Sequence, residues 1–352
     1  MKEFSEAQLF LVLDGILLHA YDFKKGKIMV GRNFDFDSEL DEMHKTVLSV
    51  LPEKLLDLTD ISVTRAGLDA LMGQMPAFEA PKNILVEETN VPGLNGDPDV
   101  LVRTYTPKDL PSEAPGLLWI HGGGMVLGSI NMDDDTCASI AMNHNCVVVS
   151  VEYRLAPEHP YPAQIHDCYS ALCWMHDNAD ELGISKDRIA IGGASAGGGL
   201  AAGTSLMARD KGGPNLIFQL LVFPMLDYRN ITPSSYGTSD TRVWNREANI
   251  IAWKAYLNDI EPVPAYASPS ASEDLSSLPP AYINVGTLDI FIDEDIDYAA
   301  RLSQAGVPVE LHVYPGAFHG SNGLVGESEL SIRWAKDQTA AIEFALNPSS
   351  QR

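Results

Sequence analysis

From residue 146 onward, short unbroken apolar runs alternate with stretches of helical character, and that rhythm constrains the fold more than any other feature. Runs such as Val147-Val148-Val149 and Leu220-Leu221-Val222-Phe223 lack polar alternation, so they read as strands buried on both faces. The spacing predicts strands at 84–88, 100–106, 117–121, 146–153, 188–192, 217–223, 281–286 and 309–314. It predicts helices at 162–181, 196–211, 293–305 and 328–346. Such alternation gives an α/β fold, a mostly parallel central sheet with helices on both faces. The first two strands, separated by a Gly-Leu-Asn-Gly-Asp turn between Pro92 and Pro98, read as a hairpin.

At 352 residues the chain suits one α/β domain with an appendage. Residues 1–80 read as an N-terminal helical region punctuated by Pro52, Pro76 and Pro81, with an amphipathic helix over Leu9–Leu18. Residues 81–352 then form the main domain. Its rhythm breaks between about 225 and 280, a stretch rich in Pro, Ser and Asp. A helix near 246–258 carrying Trp253 and Tyr256, with Trp244 just before it, makes this a lid inserted between two sheet strands.

Charge narrows the function classes. Lys and Arg number 24 against 48 Asp and Glu, a net charge of −24. Phosphate binding needs a basic surface, so neither nucleic acid nor an anionic membrane is an expected partner. The apolar run Leu9–Leu18 is interrupted by Asp14 and too short to span a bilayer. Lys2 is offset by Glu3 and Glu6, so the basic flank of a secretory signal is missing. Cys137, Cys146, Cys168 and Cys173 are too few for a disulfide framework and read as free thiols in a reducing, cytoplasmic compartment.

Three motifs carry chemistry. Ser195 stands between a short strand and an Ala- and Leu-rich helix, flanked two residues away by Gly193 and Gly197. A serine on so tight a turn needs very small neighbours, and the helix start behind it offers free amides. His121-Gly-Gly-Gly124 follows a strand directly, and no Gly-Lys-Ser/Thr follows it as a nucleotide loop would require. The glycine amides suit the negative charge that develops on an attacked carbonyl oxygen, with the amide of Ala196 as a further donor.

Of nine histidines, His319 alone follows a late strand through a short loop, the edge where α/β sheets gather reacting groups. His19, His44, His144, His166 and His176 have no companion motif, and His312 lies inside a strand. Among Asp289, Asp293, Glu294, Asp295 and Asp297, the residue three past a strand end is Asp289, the best orienting acid, with Asp293 second. Asp293 to Asp295 open a helix, where the dipole alone favours acids.

Together these motifs resemble the hormone-sensitive lipase-like branch of the α/β hydrolases, the bacterial family IV esterases. The marks are His121-Gly-Gly-Gly124, Glu152-Tyr-Arg-Leu-Ala-Pro-Glu158 with His159-Pro-Tyr-Pro162, Gly193-Ala-Ser-Ala-Gly197, Leu288-Asp289 with Asp293-Glu294, and Tyr314-Pro-Gly-Ala-Phe-His319-Gly320. The resemblance runs from about residue 34 to 346. It implies an α/β-hydrolase fold with a helical cap and a serine carboxylesterase acting on short- to medium-chain acyl esters, without cofactor or metal. It further implies a catalytic triad of Ser195, Asp289 and His319, an oxyanion hole of the Gly123, Gly124 and Ala196 amides, and a possible homodimer. Arg154 and Glu158 are expected in buried pairs that hold the glycine loop. Met125 and Ser321 stand where relatives often carry aromatics, and with Trp244 they are the candidate pocket residues. An amidase, or a lactone or carbamate hydrolase, would use the same triad. A non-catalytic ligand receptor would usually have lost one of its members.

Overall fold

The computed structural model describes residues 8–13, 16–22, 27–29, 37–52, 55–236 and 243–347. The described residues begin with β1 (Gln8–Leu13), β2 (Ile16–Asp22) and β3 (Lys27–Met29), an antiparallel sheet in sequence order. This corrects the helix expected over Leu9–Leu18. Leu13 pairs with Ile16, and in the sequence an Asp-Gly between apolar runs is a strong hairpin signal that outweighs helical spacing. Helices do follow, α1 (Ser38–Val50) and α2 (Ile61–Met72). Each starts at an aspartate, Asp37 or Asp60, whose carboxylate accepts two first-turn amides.

Next come β4 (Ile84–Val91), β5 (Val100–Pro107), β6 (Ala114–Ile120), α3 (Asp134–His144) and β7 (Val147–Glu152). Then α4 (Ala163–Asp177) and α5 (Ala179–Leu182) lead to β8 (Ile184–Ala194), and α6 (Ala196–Lys211) leads to β9 (Phe218–Val222). The long stretch before β10 (Ala281–Gly286) carries α7 (Arg246–Leu257). After it come α8 (Ile292–Gln304), β11 (Val309–Tyr314), α9 (Ser321–Leu324) and α10 (Glu329–Leu346).

Eight of these strands form one sheet in the order β11-β10-β9-β8-β6-β7-β5-β4. The β4–β5 hairpin and the β5–β7 pair are antiparallel, and the remaining pairs are parallel. Parallel β6 and β7 cannot be joined by a turn, so α3 serves as their crossover. Sequence spacing does not announce α3, whose start is acidic and whose apolar stripe is weak.

The sheet separates two apolar layers, and strand periodicity assigns residues to them. Leu118, Ile120, Val147, Val149 and Ile191 face one layer, closed by Ile165 of α4, Leu200 of α6 and Leu302 of α8. Leu117, Trp119, Val148 and Ala190 face the other, closed by Cys137 and Ile140 of α3 and Trp334 and Ile342 of α10. The four cysteines are unpaired. Among the described residues no helix is long and apolar enough to cross a membrane.

Candidate active site

Ser195 sits at the junction of β8 and α6 with φ 56° and ψ −118°, a conformation costly for any residue with a Cβ. The surroundings over-determine it. The Ser195 amide donates to the Val222 carbonyl at 2.8 Å, and its own carbonyl accepts from Met225 at 2.9 Å and Gly199 at 3.0 Å. Close contact explains the flanking glycines. A Cβ on Gly193 would lie 2.5 Å from the Gly197 and Ile120 carbonyl oxygens, and one on Gly197 would overlap the Ile120 carbonyl. Gly197→Ala is therefore expected to destabilise the protein by about 3 kcal/mol in thermal or denaturant melts. Gly67→Ala in α2, with nothing within 4 Å of its new Cβ, is the control and should melt no lower than the parent. Equal melting of the two variants would refute the contact argument.

His319 reaches Ser195 from the loop after β11. Its Nε2 lies 3.1 Å from Ser195 Oγ, and its Nδ1 lies 2.7 Å from Asp289 Oδ2. Asp289 Oδ1 accepts the Phe291 amide at 3.0 Å, which fixes the carboxylate's rotation. The two loops are laced together by Leu288 N–H to Ala317 O at 2.9 Å and Thr287 N–H to Tyr314 O at 3.0 Å. Asp289 is 2% exposed, so its charge acts on the imidazole rather than on water. Asp293 turns elsewhere and accepts the Ser234 amide at 2.8 Å. His144, His166, His176 and His312 pair with Glu343, Asp97, Asp177 and Glu310. The side chains of His19 and His44 lie outside the described residues.

The glycine segment runs beside the serine. A Cβ on Gly122 would sit 3.6 Å from that of Ser195. Gly123, Gly124 and Met125 follow with φ of 110°, 63° and 60°, three successive left-handed residues of which Met125 is the strained one. Gly123 O accepts the Val126 and Leu127 amides at 3.1 and 2.8 Å, so the turn closes on itself. Before it stands His121, fully buried and stacked on Tyr153 with ring centroids 4.1 Å apart. Burial lowers the His121 pKa to about 4, so the ring is neutral and its Nδ1–H donates to Gly122 O at 2.8 Å. The Tyr153 hydroxyl donates to His121 O at 3.0 Å.

A nucleophile-ready serine, a carboxylate-oriented imidazole and a glycine loop of free amides form an arrangement able to run acyl transfer. A family model for the alpha/beta hydrolase fold matches residues 117–322. The chain belongs to that family. This α/β hydrolase is 38% identical to carboxylesterase NlhH of Mycobacterium tuberculosis, over 80% of its own length and 88% of that protein's. It is 41% identical to esterase LipI of the same organism, over 64% of this chain and 71% of that one. A solved bacterial heroin esterase matches with a TM-score of 0.83 at 44% identity, covering 89% of this chain and 98% of that one. These matches bear out the resemblance read from the motifs.

Other parts of the hydrolase were less legible. Phe223 and Phe291 stand edge-on to the His319 imidazole, with centroids 4.8 and 5.2 Å away. No motif marks either residue. The acids opening α8 are more than dipole partners, which corrects that expectation. Glu294 is buried and accepts the Leu226 and Asp227 amides at 2.7 and 3.2 Å, while neither oxygen of buried Asp295 has a partner. Burial raises both carboxyl pKa values, and nearby carboxylates add to it. Arg154 is paired as expected, with buried Asp167 at 2.7 Å and Asp97 at 3.1 Å, but neither partner belongs to the glycine loop it was expected to hold. Glu158 departs from its expectation. Its side chain is 55% exposed, and its partner is Arg65 of α2.

The three candidate pocket residues are all buried. The Trp244 ring lies where a Cβ on Gly124 would project, which puts it over the glycine loop. Met125 joins the apolar layer under that loop, and Ser321 carries a buried hydroxyl without a partner. A cavity of about 380 Å³ opens beside Arg246, Ile250, Trp253 and Lys254, and neither Ser195 nor His319 lines it.

Proposed function

We propose that this α/β hydrolase is a serine carboxylesterase for short- to medium-chain acyl esters. The observation that carries the reading is the continuous chain Asp289–His319–Ser195, with links of 2.7 and 3.1 Å, ending beside a loop of glycine amides. Esterase names among relatives with high coverage support it. In this mechanism Ser195 Oγ attacks the ester carbonyl while His319 Nε2 takes the hydroxyl proton. The amides of Gly123, Gly124 and Ala196 receive the oxyanion, and His319 protonates the leaving alcohol. Water, activated by the same imidazole, then releases the acid from the acyl-enzyme. Asp289 keeps the Nδ1 proton in place and offsets the imidazolium charge. Cap duty falls to α7 with the N-terminal helices, and Trp244, Met125 and Ser321 limit the acyl pocket. Four unpaired cysteines support a reducing, cytoplasmic setting.

A series of p-nitrophenyl esters of increasing acyl length tests the proposal. Turnover should peak among short and medium chains and fall for long ones, because a tryptophan over the glycine loop leaves little depth. A rise toward the longest chains would make it a lipase. Turnover of amides or lactones without esters would shift the leaving group.

A further inference from the structure

The glycine loop is strained, and what restrains it reaches in from outside the catalytic sheet. Arg65 of α2 donates from Nε to Val126 O at 2.8 Å and from Nη2 to Ala156 O at 2.7 Å. Its Nη1 and Nη2 also hold Glu158 at 2.8 and 3.0 Å. Val126 lies two residues past Gly124, and the Ala156 amide donates to Met125 O at 2.9 Å. One guanidinium thus closes a ring through Val126, Met125 and Ala156, around the residue that carries the loop's strain. Its base is firm. Leu58, just before α2, is 2% exposed in the main apolar layer, and Asp60 caps the helix.

We propose that Arg65 is a positioning residue for the oxyanion hole, tying the N-terminal helices to the loop whose amides receive the developing charge. The inference rests on the esterase reading. A left-handed non-glycine residue persists only where its surroundings dictate it. Without Arg65, two carbonyls of the ring lose their charged donor, and Met125 can relax toward ordinary backbone. Gly123 and Gly124 would then shift their amides. Small misplacements of preorganised donors chiefly lower the chemical step, since the ground-state carbonyl uses them little. Lysine cannot replace this fork, because a single ammonium does not span both carbonyls and the carboxylate.

The test measures kcat and KM for p-nitrophenyl butyrate with Arg65→Ala, Arg65→Lys and Glu158→Gln, below each variant's melting temperature. Arg65→Ala and Arg65→Lys should lower kcat by about 10- to 100-fold with KM nearly unchanged. Glu158→Gln, which keeps both carbonyl bonds, should stay within about threefold of the parent. Millimolar guanidinium should restore part of the Arg65→Ala loss. Binding of a trifluoromethyl ketone, which forms an oxyanion on Ser195, should weaken in step with kcat/KM. The proposal is overturned if Arg65→Lys keeps full kcat, if Glu158→Gln is as damaging, or if only KM or melting temperature moves. Should Arg65→Ala fail to fold, Arg65→Lys and Glu158→Gln still decide it. A parent protein inactive on every ester would sink the esterase reading and this one with it. An active parent with unimpaired Arg65 variants would sink this one alone.

Discussion

Replacing Ser195 by alanine is expected to lower turnover of p-nitrophenyl acetate and butyrate by about a million-fold while the protein stays folded. The hydroxyl is the group the geometry offers to the attacked carbonyl, and His319 Nε2 is the base within reach at 3.1 Å. His319→Ala should act almost as severely, because the serine then has no acceptor for its proton. Combining the two should add little. Either loss alone leaves only the glycine amides and substrate binding, which are common to all three variants. Circular dichroism and melting curves guard against misfolding. Retained turnover in Ser195→Ala would reassign the nucleophile, and a double variant far worse than either single would break the shared-mechanism claim.

Asp289→Asn should reduce kcat by about 10⁴-fold, a loss out of proportion to one atom changed. The geometry dictates why. Oδ1 of Asp289 accepts the Phe291 amide at 3.0 Å, so in the variant the amide oxygen must keep that position. The new NH₂ group then faces His319 Nδ1 across the former 2.7 Å contact. Two donors cannot meet, so Nδ1 loses its proton and Nε2 acquires one. The imidazole keeps its place but can no longer accept the serine proton. Stopped-flow detection of the acyl-enzyme burst would locate the loss in the acylation step. A variant within tenfold of the parent would remove Asp289 from the proposed mechanism.

Legibility in the sequence followed the range of the interactions involved. The α6 helix, β10 and β11 were expected at their observed boundaries, since glycine punctuation and unbroken apolar runs are local signals. Ser195, Asp289 and His319 were each singled out by a loop at a strand end, and the fold brings those loops together at one rim. The apolar residues of Leu9–Leu18 fit a helix as well as two short strands, and it is the antiparallel pairing of Gln8–Leu13 with Ile16–Asp22 that decides between them. The partner of Glu158 was hidden for another reason. Arg65 stands 93 residues away, on a helix whose own sequence says nothing about where it docks. Phe223 and Phe291 were missed likewise, as apolar residues in apolar runs whose edges meet an imidazole only after the sheet closes.

By itself, the sequence determined what is set by neighbours along the chain: the layered α/β architecture, the strained serine turn and the order of the reacting groups. The periods of strand and helix and the steric demands of a tight turn act over a few residues. Only the tertiary structure decided which Asp289 oxygen faces His319, which acids of α8 are buried, and what braces the glycine loop. Those choices depend on contacts between segments far apart in the chain, where burial and hydrogen-bond geometry select one partner from many that composition would allow.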